Sequence, residues 1–139
     1  MNNDSFTSGF FKEDTYPNDT AITDIQEIYT SASGYNQLFR CHRYGKLHIL
    51  KALQPMYRRT VFCEQALEKE FNIGYQLEHP HICRTLSWEK VSSLGHCILL
   101  EYVDGVTLKE FMQQGKLNFP LAIKIITELC SALQYIHSK

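Results

Sequence analysis

The chain has 139 residues, an apolar share of 44 %, and 14 basic against 15 acidic residues for a formal charge of −1. That size suits one ordinary domain with a real core and leaves little room for a second. The neutral balance excludes the basic footprint of a nucleic-acid binder or of a protein drawn to an anionic membrane.

No apolar run approaches the ~18 residues of a membrane-spanning helix, so no span is predicted. Met1 to Phe11 has neither the basic start nor the apolar stretch of a secretory leader. The five cysteines, Cys41, Cys63, Cys83, Cys97 and Cys130, are odd in number and contain no Cys-x-x-Cys pair. Together these features predict reduced thiols and a cytoplasmic location. The sequons Asn3-Asp4-Ser5 and Asn18-Asp19-Thr20 are then chance matches.

Residues 1–22 are rich in Asn, Asp, Ser and Thr, with Pro17 in a turn-like Tyr-Pro-Asn-Asp, and predict a flexible polar arm. Its aromatic residues Phe6, Phe10, Phe11 and Tyr16 can either dock on the folded body or stay free. Strands are predicted over Ile25 to Thr30 and Gln37 to His42, around a Ser-Ala-Ser-Gly turn, and over Leu47 to Leu53 after Tyr44-Gly45-Lys46. A helix follows from about Phe62 to Leu77, stopped by Glu78-His79-Pro80. Two more strands fit Ile82 to Lys90 and His96 to Val103. Thr107 with Glu110 three residues on forms a capping box for a short helix. Asn118 and Pro120 open the last helix, whose stripe Ala122, Ile126, Leu129, Leu133 and Ile136 keeps helical period.

The first long helix carries a carboxylate where an apolar residue is expected. At 100° per residue, Phe62, Ala66, Ile73 and Leu77 fall within about 60° of arc, and Glu70 lies at about 80° beside them. Glu64 and Glu68 take the opposite side, and Asn72, Gln76 and Lys69 lie between them and Phe62. A carboxylate facing a core is costly unless a cation meets it. Lys51, inside the apolar run Ile49-Leu50-Lys51-Ala52-Leu53, is the best-placed cation. The pattern alone leaves two arrangements open: an ion pair, or two side chains that each reach separately to water.

Five segments in order resemble a known family. His48-Ile49-Leu50-Lys51 looks like the protein-kinase strand whose form is V-A-I-K. Glu70 stands ten residues before Pro80 of His79-Pro80-His81-Ile82, where kinases place the glutamate that pairs with that lysine. Ile98 to Gly105 is similar to the strand and hinge that join the two kinase lobes, and Thr107-Leu108 opens the next helix. Ala132-Leu133-Gln134-Tyr135-Ile136-His137 is similar to the end of the helix before the catalytic loop. The resemblance covers residues 25–139. It implies an α+β fold, with a lobe of five antiparallel strands and one long helix at residues 23–105. Residues 106–139 would then be the first two helices of a second lobe.

The same resemblance implies a chemistry. Lys51 would hold the α- and β-phosphates of ATP, oriented by Glu70. The carbonyl of Glu101 and the N–H of Val103 would meet the adenine edge, Leu38 and Ile49 would cover its face, and Leu100 would guard the deeper pocket. The phosphate-covering loop aligns as Ser31 to Leu38, with Ser31, Ser33 and Asn36 in place of the three glycines of G-x-G-x-x-G-x-V. Close backbone approach to phosphate is harder without them. Gly74 stands where kinases carry a bulky apolar residue, which predicts looser packing of that helix at a cost of ~1 kcal/mol against alanine. The 139 residues contain neither His-Arg-Asp nor Asp-Phe-Gly. The catalytic aspartate and the Mg2+ ligands are therefore expected only in a complete domain, and this chain alone is expected to transfer no phosphate.

Three other readings compete. A pseudokinase or regulatory module would use the fold to bind a partner, and the missing glycines favour it. A small-molecule kinase of the aminoglycoside type shares the lobe, but His-Pro-x-Ile fits protein kinases better. His79, His81 and Cys83 fall on one side of an extended segment and offer at most three metal ligands. The family reading absorbs them, so no metal is assigned. The partners expected are ATP and an unspecified protein substrate, with no nucleic acid and no membrane. A second copy of the chain is also expected, through helix 118–139, because its apolar stripe lacks a partner within these residues.

Overall fold

The computed structural model describes residues 21–139, so the predicted polar arm lies outside the described residues except for Ala21 and Ile22. Five strands form one sheet in the order β1-β2-β3-β5-β4, with every neighbouring pair antiparallel. They are β1 (Thr23–Thr30), β2 (Asn36–Arg43), β3 (Lys46–Leu53), β4 (Thr85–Val91) and β5 (Gly95–Glu101). The β2–β3 hairpin turns on Tyr44 (φ 53°) and Gly45 (φ +68°). Two left-handed residues in succession match the right-handed twist of the strands they join.

Between β3 and β4 the chain forms a short 3-10 turn, Pro55–Tyr57, and then α1 (Val61–Tyr75). The 3-10 turn was not predicted, although Pro55 at its first position suits one. The strand predicted from Ile82 begins only at Thr85, and Val103 lies beyond the end of β5. Thr107 and Glu110 close the predicted capping box at the start of α2 (Leu108–Gln113). Asn118 accepts a hydrogen bond from the Leu121 N–H and opens α3 (Phe119–His137).

The sheet has apolar groups on both faces. On one, Phe39, Cys41, Leu50, Ala52, Leu94, Cys97 and Leu99 form a buried cluster closed by Ile22, Ile25, Leu86 and Val91. On the other, Leu53, Cys63, Leu67 and Ile98 pack with Tyr57, Phe71, Trp88 and Leu100, which seats α1. This corrects the predicted core face of α1. Phe62 and Ile73 are exposed, whereas Cys63 and Leu67 are buried. The apolar residues of α1 outnumber the sites the sheet offers, so the helix turns its Cys63-Leu67-Phe71 arc inward and leaves Glu70 at the edge of that contact.

α3 also presents a different face from the one expected. Ala132 is buried, the Tyr135 hydroxyl accepts a hydrogen bond from the Glu78 N–H at 2.9 Å, and His79 Nε2 lies 3.1 Å from Ser131 Oγ. The helix thus docks on the α1–β4 connection through residues beside the predicted stripe rather than on it. Ile126, Leu129, Leu133 and Ile136 remain exposed. Contrary to the sequence reading, α3 is long and apolar enough by length and composition to cross a membrane. Lys124, Glu128 and the polar contacts of Ser131 and Tyr135 interrupt its apolar surface, and Ala132 is its one buried residue.

Candidate functional site

Strand register gathers the predicted residues. Leu38 of β2 lies opposite Lys51 of β3, and Ile49 of β3 lies opposite Leu100 of β5. Residues directly opposite share a face, and residues two apart along a strand share it too. Leu38, Ile49, Lys51 and Leu100 therefore rise from the face that carries α1, and all four are half-buried. A lysine in the middle of β3 is tolerable there because its long stem lies on apolar neighbours while its head reaches the edge of the helix contact.

At that edge Lys51 Nζ meets Glu70 Oε1 at 2.5 Å. The two open arrangements of the sequence reading thus resolve to the pair. The lysine side chain is 22 % exposed and the glutamate 49 %, so the pair is wetter than a core position would make it. Its arrangement holds a compact cation above an apolar floor, which suits a ligand with a flat apolar part and an anionic tail.

The loop between β1 and β2 is closed on itself. Ser31 Oγ accepts the Gly34 N–H at 2.8 Å, and the Ser31 N–H donates to the Asn36 carbonyl at 3.1 Å. Gln54, just after β3, donates from Nε2 to the Ser31 carbonyl at 2.8 Å and to the Gly34 carbonyl at 3.0 Å. Its own N–H donates to the Tyr35 carbonyl at 2.7 Å. Tyr35 stands edge-on to Tyr57, with ring centroids 4.7 Å apart. Ser33 is exposed at the tip, and Asn36 opens β2 opposite Leu53. Sequence reasoning missed the Gln54 clamp. A glutamine three residues after Lys51 carries no local signal, because its partners lie 20 and 23 positions away.

Glu101 ends β5, and Val103 lies two residues further on. The Glu101 N–H donates to the Arg84 carbonyl at 3.1 Å, its carboxylate accepts the Arg84 N–H at 2.9 Å, and its carbonyl accepts a weak bond from Cys83 Sγ at 3.7 Å. Val103 is exposed beyond it. His79 and His81 are engaged locally, the His79 ring nitrogen Nδ1 accepting the His81 N–H at 3.1 Å. All five cysteines are free.

Burial sets the thiol chemistry. Desolvation pushes Cys41 up to about 11 and Cys97 up to about 12, each partly offset by an arginine, Arg43 and Arg58 respectively. Cys83 is also raised, by burial first and then by Glu101. None of these is a thiolate poised for attack.

Comparison with known proteins accounts for the arrangement. The family model for protein tyrosine and serine/threonine kinases matches residues 40–139, and the chain belongs to that family. The match begins after Ser31, Ser33, Asn36 and Leu38, so it covers the lysine strand and the helix but not the loop. The chain is 36 % identical over 72 residues to serine/threonine-protein kinase ppk25 of Schizosaccharomyces pombe, covering 51 % of this chain and 17 % of that protein. It is 32 % identical over 97 residues to the probable serine/threonine-protein kinase PknB of Lactococcus lactis, covering 67 % of this chain and 15 % of that one. The chain therefore spans less than a fifth of the length of these relatives. Among solved structures, the PknI kinase domain of Mycobacterium tuberculosis superposes with a TM-score of 0.66 at 22 % identity, covering 84 % of this chain and 47 % of that one. Rad53 residues 1–466, solved in complex with AMP-PNP, superposes at 0.63 and 19 % identity, covering 83 % and 30 %.

Proposed function

We propose that this sheet face binds ATP, and that the protein transfers the γ-phosphate to serine and threonine hydroxyls of other proteins. The carrying observation is the Lys51–Glu70 pair at 2.5 Å above the half-buried Leu38, Ile49 and Leu100. The residues fit the nucleotide by chemistry: an apolar floor for adenine, the Glu101 carbonyl and Val103 N–H for its edge, and a point charge for phosphate. ATP supplies the phosphoryl group. Lys51 neutralises phosphate charge, Glu70 fixes the ammonium, and Leu38 and Ile49 exclude water from the base. Kinship with ppk25 and PknB supports the serine/threonine assignment, and the Rad53 neighbour binds AMP-PNP.

Among the described residues no group of three or more His, Cys, Asp or Glu converges on a point that would hold a metal. The Mg2+ that accompanies ATP would be held by residues of a complete domain, and the part of these residues is to hold the nucleotide. The 139 residues supply no catalytic aspartate in a His-Arg-Asp motif, so phosphotransfer by this chain alone is not expected. Titrating a non-hydrolysable ATP analogue into the 15N-labelled chain tests the reading. Shifts should cluster at Leu38, Ile49, Lys51 and Leu100 to Val103, and shifts confined elsewhere would count against it.

One observation favours a second reading, a module of the same fold that binds a protein partner without nucleotide. The β1–β2 loop spends the Gly34 and Ser31 N–H groups on itself, where a phosphate would need free donors. No shift with the analogue, together with an intact fold, would favour that module. Self-association is a separate proposal. Ile123, Ile126, Leu129, Leu133 and Ile136 of α3 are between 39 % and 57 % exposed, an apolar stripe suited to a second copy. Sedimentation at micromolar concentration gives a dimer if the stripe pairs and a monomer if it does not.

A further inference from the structure

Ser31 and Gly34 of the β1–β2 loop are each held at both backbone groups. The Ser31 N–H donates to the Asn36 carbonyl at 3.1 Å, and the Gly34 N–H donates to Ser31 Oγ at 2.8 Å. Their own carbonyls accept from the single Gln54 side-chain amide, at 2.8 Å and 3.0 Å. The Gln54 N–H donates to a third carbonyl, that of Tyr35, at 2.7 Å. A peptide unit is planar, so fixing its carbonyl also fixes the direction of the N–H that follows. The turn is tight as well. A Cβ placed on Gly34 would meet Ser31 Oγ at 2.7 Å, so the bare glycine is what lets the hydroxyl close on this amide.

The grip comes from a firm base. Gln54 follows β3 directly, three residues after Lys51, and leads into the 3-10 turn. Arg58, at the end of that turn, donates to the Leu53 carbonyl and to the Ser93 carbonyl, each at 3.0 Å. Tyr57 packs against the cluster of Leu53, Cys63, Leu67 and Ile98, and its ring meets Tyr35 edge-on. Gln54 and Tyr57 are thus anchored in the body of the sheet and its core, and the loop is the part that can let go.

A loop that cradles phosphate presents free backbone N–H groups to it. Here the Ser31 and Gly34 N–H groups become free only when the loop opens, and opening draws both carbonyls off Gln54. We propose that Gln54 is a latch: it holds the β1–β2 loop in a form that withholds these donors from phosphate, and affinity for a phosphate-bearing nucleotide rises when the latch is released. The proposal rests on the nucleotide reading of the Lys51 face and adds a control to it. A ligand that needs a minor, open form binds more weakly in proportion to how rarely that form is populated. Weakening the latch therefore tightens binding of ATP-like ligands. Adenosine has no phosphate to place under the loop and gains nothing. A clamp that shaped the loop for phosphate would give the opposite sign, because loosening it would lower affinity.

Calorimetric titration of the chain with adenosine and with a non-hydrolysable ATP analogue reads the two affinities, and hydrogen exchange at the Gly34 amide reads the latch. In Gln54→Leu the Gly34 amide should exchange faster and the analogue should bind at least ~fivefold more tightly, with adenosine within about twofold of wild type. Ser31→Ala removes the hydroxyl that holds the Gly34 N–H and should shift the analogue in the same direction. It decides the question if Gln54→Leu does not fold. Analogue binding that is unchanged or weaker in either folded variant would overturn the latch. So would an equal gain for adenosine, or Gly34 exchange no faster in Gln54→Leu. Wild-type protein that binds the analogue, with no gain in the variants, removes the latch and leaves the nucleotide reading. Failure of all three proteins to bind either ligand removes the nucleotide reading and the latch with it.

Discussion

Lys51 and Glu70 meet at 2.5 Å with unequal exposure, 22 % for the lysine side chain and 49 % for the glutamate. The half-wet carboxylate decides how much the pair stabilises the fold. Exposed ion pairs contribute ~0.2–1 kcal/mol, against ~3–5 kcal/mol for breaking a buried one. Glu70→Ala should accordingly shift the urea unfolding free energy by less than ~1 kcal/mol. A loss of several kcal/mol would mean that the pair is sealed from water. A small effect on stability is compatible with a large one on function, because positioning a charge for a ligand need not stabilise the free protein.

The Gln54 clamp predicts local rigidity in the β1–β2 loop. Gln54→Leu keeps the volume and removes two side-chain hydrogen bonds, to the Ser31 and Gly34 carbonyls. At ~0.5–1.5 kcal/mol for each, the loop should open more easily by ~1–3 kcal/mol. Hydrogen exchange at the Gly34 and Asn36 amides should speed up, while the fully buried Leu50 in β3 keeps its protection. Unchanged exchange at Gly34 would show that Ser31 Oγ alone holds the turn.

How much of this was legible beforehand differs by element. The order of strands and helices could be read, because hydrophobic periodicity, the Tyr44-Gly45 turn and the capping signals at Thr107 and Asn118 are local. The inward faces of α1 and α3 could not. Both helices carry more apolar residues than their contacts bury, and only the position of the sheet selects Cys63 and Leu67 over Phe62 and Ile73. Lys51 and Glu70 stood out because a charge inside an apolar pattern is locally costly, but that pattern left their pairing open and only the family resemblance implied it. The Gln54 clamp on the Ser31 carbonyl was not legible, since the two residues lie 23 positions apart.

Alkaline pH should destabilise the fold through its buried thiols. Cys41 and Cys97 titrate near 9.0 when free and are pushed up to about 11 and about 12 by burial. Between those values the folded state holds protons that the unfolded chain has released. Their contribution is therefore complete below pH ~9 and is lost as pH rises toward ~12. Urea unfolding between pH 8 and pH 11 should show falling stability, and Cys97→Ala should flatten that slope relative to wild type. Parallel slopes for the two proteins would assign the loss to other groups.

The central claim is that the face bearing Lys51 grips the phosphates of ATP, and calorimetric titration of ATP into the chain tests it most directly. The account predicts saturable one-to-one binding by the wild type and a loss of at least tenfold with Lys51→Ala, which corresponds to about 1.4 kcal/mol. A well-folded wild-type chain that releases no heat with ATP, or a Lys51→Ala variant that binds as tightly as wild type, would contradict it.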